Sequence, residues 1–288
     1  MQTIYLRLCI LIKSTMLWGI LLRAGTSSFP VWYVFGAWHQ GEETQVKLRA
    51  ILPIIANGFC EEAKRSLHSV AREGTDISVS VVERGPLSIE CQYDVAVALP
   101  DILIHVARAL KEEMDGVIID CMADPGLEAS RELANIPIIG MGEASFHLAS
   151  LLAHRFSVVS ILDRDIPDLD RMLRKYGVHS QVASVRVINI PVLDLRRNED
   201  DVARAATAAA LLAVREDGAG AIALGCSGLS RVVPRMVESL KAEGLNVPVI
   251  NPYAAAVKLA ESLVDMKLSF SKITYPDPPK KKVVSSED

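Results

Sequence analysis

Two short apolar segments, each ending at a cysteine, constrain the fold of this chain most strongly. They are Asp115-Gly-Val-Ile-Ile-Asp-Cys121 and Gly218-Ala-Gly-Ala-Ile-Ala-Leu-Gly-Cys226. Short apolar runs bounded by Gly or Asp are typical of parallel strands that are buried on both faces. The two cysteines are 105 residues apart in the sequence. We therefore expect them to occupy equivalent places in two halves of the molecule.

Short apolar segments alternate with helical segments of ten or more residues from residue 46 to residue 266. Such spacing predicts an α/β fold with parallel sheets flanked by helices. We predict a first lobe over residues 46–145 and a second over 146–251, with a helix over 252–266 packing back on the first. Residues 267–288 are expected to form a polar tail. The pattern also predicts helical stretches on either side of Pro100, an N-cap at Asn198, and a short strand over 247–250.

Residues 1–45 differ from the rest, since they contain all three tryptophans and show no regular hydrophobic period. We expect this extension to lie outside the fold. Its apolar part has about the length of a membrane span, but Arg7 and Lys13 lie within it, which makes a membrane anchor unfavourable. One hypothesis is a mis-annotated start, with translation beginning at Val46. A weak anchor and a targeting signal are the alternatives.

Charge and cysteine content narrow the class of function. The formal charge is −4 and the pI is near 5.9, so the chain lacks the basic footprint of a nucleic-acid-binding protein. Five cysteines without a CxxC pair fit neither a disulfide framework nor a zinc site, and the six histidines show no ligand spacing. We therefore expect reduced thiols, a cytoplasmic location, no metal and a small-molecule substrate.

The two cysteines at strand ends are the candidate catalytic residues. Ligands of open parallel sheets collect at the carboxyl ends of the strands, where Cys121 and Cys226 are expected. A turn into a helix follows each, so its N–H groups and dipole are expected to lower the thiol pKa and to hold a carbonyl oxygen. Two such groups across a cleft suit inversion at a carbon acid, in which one thiolate removes a proton and the opposite thiol supplies one.

Three motifs in this order resemble the aspartate/glutamate/hydantoin racemase superfamily, in its hydantoin racemase branch. They are Asp120-Cys121-Met-Ala-Asp124-Pro-Gly-Leu127, Leu224-Gly-Cys226-Ser-Gly228 and Arg84-Gly-Pro-Leu-Ser88-Ile-Glu90. The resemblance covers residues 46–266. It implies two pseudo-symmetric lobes, an active site without a cofactor in the interlobe cleft, and Cys121 and Cys226 as the two bases. It also allows a homo-oligomer.

Departures from the family pattern bear on the substrate. Amino-acid racemases of the superfamily usually place polar residues after each cysteine, whereas this chain has Met122-Ala123 and Ser227-Gly228. These residues favour a neutral cyclic diamide, such as a 5-substituted hydantoin or allantoin, over a free amino acid. The resemblance implies substrate-binding roles for Ile54, Ser88, Ile89, Met122, Ala123, Asp124, Ser227 and Gly228. Ser88 and Asp124 have a second interpretation as helix caps.

The sequence favours a hydantoin racemase and leaves other functions open. An amino-acid racemase, an isomerase or a decarboxylase would keep the fold, although a decarboxylase would keep only one of the two cysteines. A binding protein that holds a small ligand between the lobes is the alternative from another class. Its cysteines would be ordinary and unreactive.

Overall fold

A computed structural model describes residues 45–55 and 58–281. The extension predicted over 1–45, with Cys9 and the three tryptophans, lies outside the described residues apart from position 45. The end of the predicted tail, 282–288, lies outside them as well. No helix within 45–55 and 58–281 is long and apolar enough to cross a membrane.

The first half of the described chain contains a parallel sheet of four strands. The strands are β1 (Val46–Leu52), β2 (Thr75–Val81), β3 (Gly116–Ile119) and β4 (Ile138–Gly140), in the spatial order β2-β1-β3-β4. All pairs are parallel, and Leu48 is aligned with Ile77 on one side and with Gly116 on the other. β3 is buried along its whole length, as its continuous apolar run predicts.

Four helices accompany this sheet: α1 (Phe59–Val70), α2 (Gln92–Lys111), α3 (Leu127–Leu133) and α4 (Met141–Leu152). The prediction that Pro100 separates two helical stretches is wrong, because α2 is one helix of 20 residues with Pro100 inside it. Ala98, Ile102 and Val106 keep the buried face of α2 continuous past the proline. Packing of that face outweighs the loss of one backbone donor.

The second half contains a parallel sheet of three strands. They are β5 (Phe156–Ser160), β6 (Val182–Val187) and β7 (Ala221–Leu224), in the order β6-β5-β7, with α5 (Ile166–Lys175), α6 (Glu199–Arg215) and α7 (Val233–Ala242) beside them. Asn198 caps α6 by accepting the Asp201 N–H at 3.2 Å, as predicted. The strand predicted over 247–250 is not formed. A single bridge joins Val249 to Ile222, and Pro248 has no N–H with which to extend it.

The last helix, α8 (Pro252–Asp265), returns to the first half, where it packs on α4, α1 and β3. One hydrophobic cluster joins Ile118, Phe146 and Val257 to Phe156 and Ala223 of the second half. The chain therefore forms an α/β protein with two parallel sheets whose cores meet. The exact lobe boundaries given above stay a prediction.

Candidate active site

The two predicted catalytic cysteines line the same cavity. Cys121 lies two residues beyond the end of β3, and Cys226 lies two residues beyond the end of β7. Because parallel strands direct their carboxyl ends to one edge, each sheet delivers its cysteine to the gap between the sheets. Both thiols are half-buried. The structure thus brings together two residues from halves that are separate in sequence.

The backbone around Cys226 requires a glycine next to it. Gly225 donates its N–H to the Val159 carbonyl of β5 at 2.8 Å, which keeps the turn close to that strand. A Cβ at position 225 would lie 2.4 Å from Oγ of Ser160 and 3.0 Å from its Cα. Only glycine permits this approach. Cys226 then precedes a short 3₁₀ helix, Ser227–Val232.

Each sulfur accepts a hydrogen bond from the backbone two residues further on. The Ala123 N–H faces the Cys121 sulfur, and the Gly228 N–H faces the Cys226 sulfur. The sequence predicts that amides after the cysteines hold a substrate oxygen. In the structure these two N–H groups instead meet the sulfurs, where they favour the thiolate forms.

Burial nevertheless raises the pKa of both thiols. It raises the pKa of Cys226 to about 12, with Asp165, Asp120 and Glu90 adding negative charge nearby. It raises the pKa of Cys121 further, and the neighbouring Cys226 contributes in the same direction. The prediction of lowered pKa values is therefore wrong, because removal from water outweighs one hydrogen bond per sulfur. Their mutual repulsion favours one thiolate and one thiol.

A buried carboxyl group, Asp120, adjoins the first thiol. Its side chain is 2% exposed, and Oδ2 accepts the Tyr253 hydroxyl at 3.2 Å. Burial raises the pKa of Asp120 to about 7, against the opposing effects of Tyr253 and Ser227. Sequence reasoning gave Asp120 no role of its own, because an acidic residue at a strand end is commonly solvated. Nothing local in the sequence signals that α8 covers it.

The chain matches the family model described as Asp/Glu/Hydantoin racemase over residues 57–260. It belongs to this family. It is 36% identical to a hydantoin racemase of Pseudomonas sp. (strain NS671) over 242 residues, which cover 84% of this chain and 95% of that protein. It is 35% identical to the Paenarthrobacter aurescens hydantoin racemase over 238 residues, covering 82% and 99% of the two chains.

A solved structure gives the same assignment. An allantoin racemase from Klebsiella pneumoniae superposes with a TM-score of 0.78 and 35% identity, covering 84% of this chain and 97% of that one. The predicted superfamily and fold class are therefore confirmed. The chain is an isomerase of the racemase type, in the branch that contains hydantoin and allantoin racemases.

Six of the eight residues predicted to bind substrate in this racemase line the cavity. They are Ile54, Ile89, Met122, Ala123, Ser227 and Gly228. They surround the cysteines with apolar groups, backbone amides and one hydroxyl. The family motifs thus place most of their members at one cavity.

Ser88 and Asp124 do not line the cavity. The Asp124 carboxylate accepts the N–H groups of Gly142 at 2.9 Å and Glu143 at 2.7 Å, and the Tyr176 hydroxyl at 2.7 Å. It therefore caps α4, whereas the sequence offered the helix directly after it as the alternative. Proximity in sequence to Cys121 does not place this side chain in the racemase cavity.

Several lining residues came from segments without a recognisable motif. They include Phe59 of α1, Leu169 and Met172 of α5, and Tyr253 of α8. Their helical spacing reads as ordinary core packing, so no local signal distinguishes them. Only the folded arrangement brings them to the cleft.

The lining of the racemase cavity is acidic and apolar. It includes five carboxyl groups, Glu62, Glu90, Asp120, Asp165 and Asp168, and within the described residues it contains no lysine, arginine or histidine. Glu62 is ion-paired with Arg196 at 3.1 Å and with Arg231 at 3.3 Å, which lie outside the lining. In the part of the chain that is described, no cluster of three or more His, Cys, Asp or Glu is arranged to hold a metal ion.

Proposed function

We propose that this protein racemises 5-substituted hydantoins without a cofactor, with Cys121 and Cys226 as the two bases. The observation that carries the proposal is that both cysteines, from equivalent strand ends, line one cavity. The similarity to two hydantoin racemases supports the choice of substrate class.

The reaction is an exchange of one proton at the ring carbon that bears the substituent. The thiolate on one side removes the proton and leaves the electron pair delocalised toward the adjacent carbonyl oxygen. The thiol on the opposite side then gives its proton to the other face of that carbon. The second sulfur ends as the thiolate, so atoms and charge balance. The same pair runs the reaction in reverse from the other enantiomer.

The electrostatics of the pair suit this division of labour. Repulsion between the sulfurs favours one charge per site, and the N–H groups of Ala123 and Gly228 stabilise whichever sulfur is ionised. An intermediate that spreads its charge over a neutral diamide ring adds less repulsion than one formed from a carboxylate. The two-thiol mechanism therefore favours a neutral carbon acid.

The lining supports a neutral substrate over an amino acid. An α-carboxylate would find no cationic side chain among the lining residues described above, and it would face several carboxyl groups. Ring N–H groups, by contrast, are donors that carboxylate oxygens accept. Apolar neighbours such as Ile54, Phe59 and Val192 suit a hydrocarbon 5-substituent.

Allantoin is the second candidate substrate. The similarity to the Klebsiella pneumoniae allantoin racemase supports it, and a ureido substituent would bring further N–H donors to an acidic lining. A decarboxylase is disfavoured because both cysteines are present. A maleate-type isomerase and a non-catalytic binder differ from the proposal in what they do to a single enantiomer.

The deciding experiment starts from single enantiomers in deuterated water. We would follow optical rotation and deuterium content for hydantoins with apolar 5-substituents, for allantoin, and for aspartate and glutamate. The proposal predicts decay of rotation to zero with one deuterium per inverted hydantoin. Racemisation of aspartate or glutamate alone, or binding without exchange, would overturn it. Faster turnover of allantoin would select the second candidate.

Three further expectations accompany this function. The protein acts on a small molecule and needs no nucleic acid or membrane. The four described cysteines are free thiols, which agrees with the predicted reducing, cytoplasmic location. A homo-oligomer stays a prediction from the resemblance, and light scattering of the purified protein measures it.

A further inference from the structure

Asp120 connects the segments that carry the two thiols. It directly precedes Cys121, and its Oδ2 accepts the Tyr253 hydroxyl from α8 at 3.2 Å. The Ser227 side chain hydrogen-bonds both the Asp120 carboxyl group and the Tyr253 hydroxyl. Ser227 directly follows Cys226. One side-chain cluster therefore joins residues adjacent to both sulfurs.

The buried position of Asp120 indicates how it acts. Its Oδ1 is enclosed and has no hydrogen-bond partner in the described part of the chain. An oxygen so enclosed is not available to a ligand in this arrangement. Asp120 therefore acts through the groups it holds, and not by touching the reacting carbon.

We propose that Asp120 is a positioning residue, which fixes the Cys226 segment relative to Cys121 through Ser227 and Tyr253. The inference rests on the proposed function, since it presupposes that both thiols take part in inversion. A two-base mechanism needs this because each sulfur must reach one face of the same carbon, and small misplacements at an active site lower the rate steeply.

The charge of Asp120 supplies an independent signature. The groups that face it are Glu62 of α1, Tyr253 of α8, Ser227, and the two thiols. Ionised Asp120 raises the pKa of both thiols, in addition to Asp124 near Cys121 and to Asp165 and Glu90 near Cys226. Asp120→Asn keeps an acceptor oxygen but removes the charge. Ser227→Ala and Tyr253→Phe keep the charge but remove a hydrogen bond.

The first experiment measures exchange against inversion in deuterated water, starting from a single hydantoin enantiomer. Ser227→Ala and Tyr253→Phe are each expected to lower kcat about tenfold, the effect of losing one well-placed hydrogen bond. They should also raise the deuterium content of recovered substrate relative to inverted product, because the second sulfur is displaced. Matched controls are Ser230→Ala in the same 3₁₀ helix and Tyr176→Phe, which loses a hydrogen bond to Asp124. Both controls should keep the wild-type ratio.

The second experiment measures alkylation of the two thiols by iodoacetamide. At pH 8 both thiols of Asp120→Asn should react roughly three- to tenfold faster than those of the wild type, because a nearby negative charge is gone. Ser227→Ala should not show this acceleration.

The outcomes separate the two proposals. Wild-type protein that exchanges no hydantoin proton refutes the proposed function, and the inference fails with it. An active wild type whose Ser227→Ala and Tyr253→Phe variants keep the wild-type kcat and deuterium ratio refutes the positioning role alone. Unchanged thiol reactivity in a folded Asp120→Asn also counts against it.

Discussion

Each active-site sulfur is held between two opposing influences. One backbone N–H stabilises its ionised form, while burial and neighbouring carboxylates favour the neutral thiol. Burial prevails, so the resting cavity holds protonated thiols at neutral pH. A catalytic base of this kind gains activity as the pH rises, since the first thiolate then becomes more populated.

Alkylation as a function of pH tests the raised thiol pKa values. Deprotonation of Cys226 is centred near pH 12, so at pH 8 its reaction with iodoacetamide should be slower than that of free cysteine, by roughly a hundredfold or more. The rate should keep rising above pH 10, where free cysteine has levelled off. Mass spectrometry of each cysteine-containing peptide measures it. Alkylation faster than that of the free amino acid would contradict the account.

The sequence predicted the positions of the two thiols correctly but not their acidity. Position follows from a local rule, namely that an apolar run ending in Cys121 or Cys226 is a strand whose end faces a cleft. The pKa of each thiol depends on how much protein surrounds the sulfur, and distant segments such as α5 and α8 provide that environment. Asp120 escaped notice for the same reason.

At the scale of elements, two helices illustrate what an N-cap contributes. Asn198 caps α6, and Asn251 caps α8 by accepting the N–H groups of Tyr253 at 3.0 Å and Ala254 at 3.3 Å. The two caps are chemically alike. However, α8 begins beside Tyr253, which lines the cavity, whereas no residue of α6 does.

The two caps form a matched pair of variants. Asn198→Ala and Asn251→Ala should each lower the free energy of unfolding by about 1 kcal/mol, the usual effect of losing such a cap. Only Asn251→Ala should also lower kcat, because it loosens the turn that presents Tyr253 to Asp120. Denaturant unfolding and initial racemisation rates measure the two effects. Equal effects of both variants on kcat would show that the start of α8 has no special link to the site.

The element pattern itself was largely predictable. Strand–helix alternation identified all seven strands of the two sheets, because buried parallel strands and amphipathic helices leave strong local patterns. The errors arose where tertiary packing overrides local preference, as in α2 at Pro100. They also arose where a short apolar run has too few partners, as at 247–250.

At the scale of the molecule, the fold encloses two carboxyl groups near the cleft. Burial raises the pKa values of Asp120 and Asp124 to about 7, whereas an unfolded aspartate titrates near about 3.9. The folded state therefore binds these protons more tightly than the unfolded state. The stability they contribute is present in full below about pH 4 and is lost as the pH rises to about 7.

Asp120→Asn should accordingly flatten part of this pH dependence. Between pH 5 and pH 8 the wild type should lose unfolding free energy, on the order of a few kcal/mol, and the variant should lose less. Urea unfolding across that interval measures both proteins. A wild type that becomes more stable over this range, with an identical slope in the variant, would contradict the raised pKa of Asp120.

The central claim is that each half of the molecule supplies one base to a single cavity. The most direct measurement is proton exchange by Cys121→Ser and Cys226→Ser, starting separately from each hydantoin enantiomer in deuterated water. Each variant should lose racemisation by about a thousandfold or more, the usual effect of removing an acid–base group. Each should retain exchange of only one enantiomer, and the two variants should retain opposite ones. Retention of racemisation in either variant, or the same enantiomer exchanged by both, would contradict the account.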